Sequence, residues 1–165
     1  SCSEHFWKFL CQFIWQWEIK QRIWTLAEQI INFTTGSEAA TMLQPRNLIV
    51  VEQNAHVQII ERHQSLTENA VFTNVVSEIY ADRHSTVDFY KIQNDCTSAS
   101  LVDNTFIEQQ SESVVSVHTF SFGGNITRNN LNFYQKYLLN IYHQLMTFRQ
   151  DRHQLKSSNL TLMVA

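Results

Sequence analysis

Glycine and proline are scarce in this chain, with three Gly and one Pro in 165 residues, all of them between Gly36 and Gly124. Charge is scarce too: Asp, Glu, Lys and Arg make up 16%, below the usual quarter, and the formal net charge is −3. With no basic field, binding to nucleic acid through a phosphate-neutralising patch is excluded. Low charge combined with 44% apolar residues also excludes a disordered chain, and the length suits one domain with a real core. The three cysteines (Cys2, Cys11 and Cys96) are odd in number and form no CxxC pair. That spacing excludes a disulfide framework and suits a reduced, cytosolic setting. The Asn-X-Thr triplets at Asn32, Asn125 and Asn159 read as chance products of an Asn-rich chain. No apolar run approaches the roughly 20 residues that span a bilayer. The opening SCSEHFWKFLCQFIWQWEIK is aromatic, but Lys8, Gln12, Gln16, Glu18 and Lys20 interrupt it, so it lacks the apolar centre of a signal peptide.

What is present falls into a head, a middle and a tail. All four Trp lie in the first 24 residues. There Glu4, Lys8, Gln12, Gln16 and Lys20 recur every fourth residue, which predicts an amphipathic helix with Phe6, Leu10, Phe13, Ile14 and Trp17 on its broad apolar face. Such a helix packs on its own domain in preference to a membrane surface, which calls for more Lys and Arg on the polar side.

The middle consists of short β-rich runs: IINFTT, RNLIVVEQ, HVQIIERH, AVFTNVVSEIYA, STVDFYKIQ, SLVDNTFIEQ, SVVSVHTFSF and NITRNNLNFYQ. Val87, Phe89 and Lys91 share one face of a strand, and Asp88, Tyr90 and Ile92 the other; His118, Phe120 and Phe122 likewise oppose Val117, Thr119 and Ser121. Turn-prone pairs and triplets such as Gln53-Asn54, Thr67-Glu68-Asn69 and Gln93-Asn94-Asp95 separate the runs. Regular short strands of this kind predict an all-β sandwich, barrel or solenoid. Amides recurring at the run ends favour the solenoid, where stacked Asn and Gln form hydrogen-bonded ladders. In the tail, Leu138, Ile141, Tyr142, Leu145 and Phe148 follow helical spacing, which predicts a helix over roughly 136–155.

Candidate chemistry is sparse. Gly123-Gly124-Asn125 is the strongest turn signal, but strand-like flanks and the lack of a following Lys make it a corner between β-runs, with no phosphate to hold. His56 and His63 are seven apart in one run, hence on opposite faces, and His143 and His153 lack a ligand at i+3 or i+4. Cys96 has no sequence neighbour with which to share a metal. No metal, cofactor or catalytic residue is assigned. Asp88, Asp103 and Glu108 lie on neighbouring runs, and parallel stacking would let them gather as the acids of a β-helical carbohydrate-active enzyme do. Solvated strand acids are the simpler reading. A capped β-solenoid that binds other proteins is the leading alternative, ahead of such an enzyme.

Several long phrases, MLQPRNLIVVEQNAHVQIIERHQSL, VDFYKIQND, SASLVDNTFIEQ and SVVSVHTFSFGGNITRNNLNFYQ, resemble the core domain of the SufB/SufD family of iron–sulfur cluster assembly proteins, and within it SufD. The resemblance covers about residues 30–135 and implies a partial right-handed parallel β-helix, flanked here by the two predicted helices. It implies a non-catalytic, cytoplasmic scaffold that pairs with a SufB-like paralogue and a SufC-like ATPase. The iron–sulfur cluster itself would be handled by the full complex, through Cys and His that this chain lacks. Residues 1–29 and 136–165 depart from the family pattern. The abrupt change after Gln135 reads as the start of out-of-frame or unrelated sequence.

Overall fold

A computed structural model describes residues 15–19, 25–35, 40–136, 141–148 and 155–164. They form twelve strands: β1 (Trp15–Ile19), β2 (Thr25–Thr34), β3 (Thr41–Leu43), β4 (Arg46–Val51), β5 (His56–Ser65), β6 (Val71–Ala81), β7 (Thr86–Asp95), β8 (Ala99–Gln109), β9 (Val114–Gly123), β10 (Ile126–Gln135), β11 (Ile141–Phe148) and β12 (Leu155–Val164). They belong to two sheets, and every pairing is parallel. One sheet runs β1-β4-β6-β8-β10-β12, with β3 also on β6, and the other runs β11-β9-β7-β5-β2. From β4 onward the chain alternates between the sheets, so each pair of strands makes one coil of a β-solenoid. Stacked residues lie between 26 and 32 positions apart.

The corners along one edge are built alike. Between the sheets, Glu52–Ala55, Asp82–Ser85 and Gln110–Ser113 form superimposed turns. Each closes by a backbone bond of its fourth N–H to its first carbonyl, at 3.1, 3.2 and 3.3 Å. The third residue of each turn, Asn54, His84 or Glu112, has φ near +60° (62°, 55° and 59°). The fourth residues, Ala55, Ser85 and Ser113, are small and buried. The opposite corner carries the glycine pair. Gly123 and Gly124 have φ of 72° and 75°, and the Gly124 N–H donates to the Asp95 carbonyl at 3.1 Å. A Cβ on Gly123 would lie 2.1 Å from that carbonyl oxygen, so the pair is a corner closed by close backbone approach.

Alternation along each strand sends one face into the space between the sheets. The column Ile49, Ile79, Ile107 and Phe133 stacks in register on one side, and Val57, Val87 and Val115 with Ile59, Phe89 and Val117 stack on the other. The amide ladders are present. The Asn130 amide donates to Asn104 at 2.8 Å, Asn159 donates to Asn130 at 3.0 Å, and Gln135 donates to Gln109 at 3.0 Å, all between register partners.

Neither predicted helix is formed within the described residues. In the head, Trp15–Ile19 is β1 on the edge of β4; residues 1–14, which carry most of the predicted helix, lie outside the described set. In the tail, Ile141–Phe148 is β11 on β9 and Leu155–Val164 is β12 on β10. An exposed parallel edge offers a whole row of backbone donors and acceptors, and pairing with it outweighs a weak helical periodicity.

Replacing Gly123 with Ala should cost at least about 2 kcal/mol, because left-handed strain and a backbone clash coincide there. Glu112→Gly, at a turn that merely tolerates a side chain, should be neutral or stabilising by up to about 1 kcal/mol. Urea denaturation of the two variants checks both, and equal effects at the two corners would contradict the assignment.

Candidate functional site

The half of the core next to the four-residue turns is mainly apolar, apart from the Gln109–Gln135 stack and the small turn serines, whereas the other half contains a band of polar side chains. Alternation alone explains why they point inward. In β5, Val57, Ile59, Glu61 and His63 share a face, and in β7, Val87, Phe89, Lys91 and Gln93 do so. Register places Glu61 against Lys91 and His63 against Gln93. Across the core, β4 supplies Asn47, β6 Ser77, and β8 Asp103 and Thr105.

These groups satisfy one another. Asn47 Nδ2 donates to Glu61 Oε1 at 2.9 Å and lies 3.2 Å from Ser77 Oγ. His63 Nε2 is 3.2 Å from the same Glu61 oxygen, and Asn32 Nδ2 approaches it at 3.5 Å. Lys91 forms an ion pair with Asp103 and donates to Thr105 Oγ1, whose hydroxyl donates on to Asp103 Oδ1 at 3.2 Å. The Lys91 ammonium also sits 5.3 Å from the centre of the Phe89 ring. Thr127 Oγ1 donates to Gln93 Oε1 at 3.0 Å, which extends the band to β10.

Burial alone would lower the His63 pKa, but the Glu61 carboxylate, with help from Asp103, outweighs it and raises the imidazole above its ordinary 6.5. Burial would likewise raise Glu61; His63, Lys91 and the Asn47 hydrogen bond together hold it below 4.5. With His63 protonated, two cations and two carboxylates balance within the band. Glu61 is wholly buried, and its Oε2 has no hydrogen bond among the described residues. Removing its partner would therefore strand a charge. Such an arrangement stores a proton on His63 and cross-links coils.

The residues singled out in the sequence are dispersed. His56 faces outward beside Asp88 at 3.5 Å, and His63 faces inward, as their spacing predicted. His143 lies in β11, so its helical placement is overturned, and His153 is outside the described residues. Cys96, at the corner after β7, does have partners. Its Sγ is 2.9 Å from the Thr67 carbonyl and 3.1 Å from both Ser65 Oγ and Ser98 Oγ. Burial opposes ionisation of this thiol, but the Ser65 and Ser98 hydrogen bonds outweigh it and lower its pKa.

Asp88, Asp103 and Glu108 do not gather. Asp88 lies on the outside of one sheet, Glu108 lies on the outside of the other and pairs with Lys136 at 2.6 Å, and Asp103 is buried, not solvated. Among the described residues, no three His, Cys, Asp or Glu side chains are placed to share a metal ion. Sequence reasoning passed over Glu61, although a charged residue in phase with Val57 and Ile59 was a readable sign of a buried pair.

Comparison with known proteins fits this architecture. The family model described as SUF system FeS cluster assembly, SufBD core domain, matches residues 33–151. The chain belongs to this family. The SufBD match continues past Gln135 and takes in β11. Over 115 residues the chain is 32% identical to the iron-sulfur cluster assembly SufBD family protein slr0076 of Synechocystis sp. (strain ATCC 27184 / PCC 6803 / Kazusa), covering 65% of this chain and 25% of that protein. Over 100 residues it is 24% identical to Protein ABCI7, chloroplastic, of Arabidopsis thaliana, covering 60% of this chain and 21% of that one. The chain thus spans about a quarter of the length of the curated relatives it matches. No solved structure matches it significantly.

The ionisations predict a stability window. The raised His63 pKa contributes fully below pH 6.5 and is lost as pH climbs through the raised value. The depressed Glu61 pKa contributes above pH 4.5 and is lost as pH falls through the depressed value. The contribution of the pair to the Tm should peak between those limits, and the decline above 6.5 should vanish in His63→Gln. His63→Ala should cost about 3–5 kcal/mol near pH 6 by urea denaturation, since it leaves Glu61 buried without its cation.

Proposed function

We propose that this chain is a SufD-like scaffold segment of the SUF iron–sulfur assembly machinery, non-catalytic and cytoplasmic. The observation that carries the reading is the SufBD core match over residues 33–151, lying on a continuous parallel solenoid. The coil is right-handed on this reading, as parallel crossovers nearly always are. Its role is mechanical: a stack of short coils presents long, rigid, straight sheet faces to other subunits. The partners are a SufB-like paralogue and a SufC-like ATPase. The iron–sulfur cluster is cargo, held by thiolates or imidazoles elsewhere in that complex. No helix among the described residues is long and apolar enough to cross a membrane.

A second reading, a protein-interaction module outside cluster assembly, draws on the outer face of the larger sheet. Tyr80, Phe106 and Tyr134 line a groove there on three successive strands, with Glu78 and Glu108 between them. Co-expression of the tagged chain with SufB-like and SufC-like proteins separates the two. Stoichiometric co-purification supports the scaffold, and recovery of the chain free of both would sink it.

A further inference from the structure

Beside the Lys91–Asp103 pair is a void of about 10 Å³, bordered by Lys91, Asp103, Thr105, Thr119 and Asn129. Register accounts for the setting. Asn129 of β10 stacks directly on Asp103 of β8, and Thr119 of β9 stacks on Lys91 of β7, so two cross-strand pairs face each other across the core. Asn129 is only 6% exposed, and its Nδ2 is buried without an acceptor among the described residues. A buried amide N–H is rarely left unpaired in a folded protein, and ordered water is the usual remedy where polar groups converge. The volume is about that needed for one water and too small for a larger ligand. Lys91 and Asp103 neutralise each other, so the void favours a neutral dipole over an ion.

We infer that this void is a binding site for a single structural water, which accepts a hydrogen bond from Asn129 Nδ2 and donates to the acceptors that border it, Asp103 and Thr119. The water carries the polar band one coil beyond the ion pair and ties β10 to β8 and β9 through the core.

The test is a crystal structure of the full chain at a resolution that places waters, alongside Asn129→Leu. One peak within hydrogen-bond distance of Asn129 Nδ2 and a second polar atom is expected, and it should be missing in the variant. An empty void, or an Asn129 amide bonded directly to a protein acceptor, overturns the inference. So does a peak that persists in Asn129→Leu. In solution, the Asn129 side-chain amide protons should show NOEs to a long-resident water in the unmodified chain. Their absence also overturns the site, and this measurement does not depend on the variant folding.

Discussion

Everything in this molecule depends on the coils stacking in register. Parallel strands less than 5 Å apart set each inward side chain on its counterpart one coil away, so the core is a set of columns, and the chemistry of a column must agree with itself along its length. Aliphatic columns do so by packing, as Ile49, Ile79 and Ile107 do. Amides do so by donating one way and accepting the other, as Asn104, Asn130 and Asn159 do. A charge cannot stack on its like. Glu61 therefore rests on Lys91, and Lys91 on Thr119.

This constraint gives the buried polar band a purpose that stability alone would not. Ion pairs taken out of water recover little more than their desolvation cost, and aliphatic replacements often do as well. What they add is discrimination between registers. A slip of one residue between β5 and β7 would turn Lys91 to the outer face, and a slip of two would set Glu61 against Phe89 or Gln93. Either error separates Glu61 from the Lys91 charge that helps to keep it ionised in the core. Aliphatic columns, in which Val and Ile interchange at small cost, punish such slips far less. The positive-φ turns at Asn54, His84 and Glu112 act in the same direction from the corners, since each fixes where one strand stops and the next begins.

The middle of the chain was legible because its strands obey a period of two without interruption, and its SufBD character because whole phrases survive in order. The ends were misread for a physical reason. The tail run IYHQLMTF has no clean alternation, and its apolar residues happen to satisfy a helical spacing. What makes it a strand is the edge of β9 beneath it, which no local window contains. In the head, Trp15, Trp17 and Ile19 do alternate with Gln16 and Glu18, but the series of polar residues at every fourth position masked that short signal. The polar band was half visible. Lys91 stood out as the least apolar member of its face, yet the identity of its partner, Asp103, depends on how two sheets face each other.

A core divided between hydrocarbon and hydrogen-bonded polar groups also responds to temperature in its own way. Exposure of apolar surface raises the heat capacity on unfolding, whereas exposure of polar surface lowers it. Where Glu61, Lys91, Asp103 and Thr105 occupy positions that an aliphatic solenoid would give to Val or Ile, those contributions partly cancel. The free energy of this coil stack should therefore curve more gently with temperature than that of an all-aliphatic stack of equal length, holding its rigidity over a broader thermal range from a modest maximum.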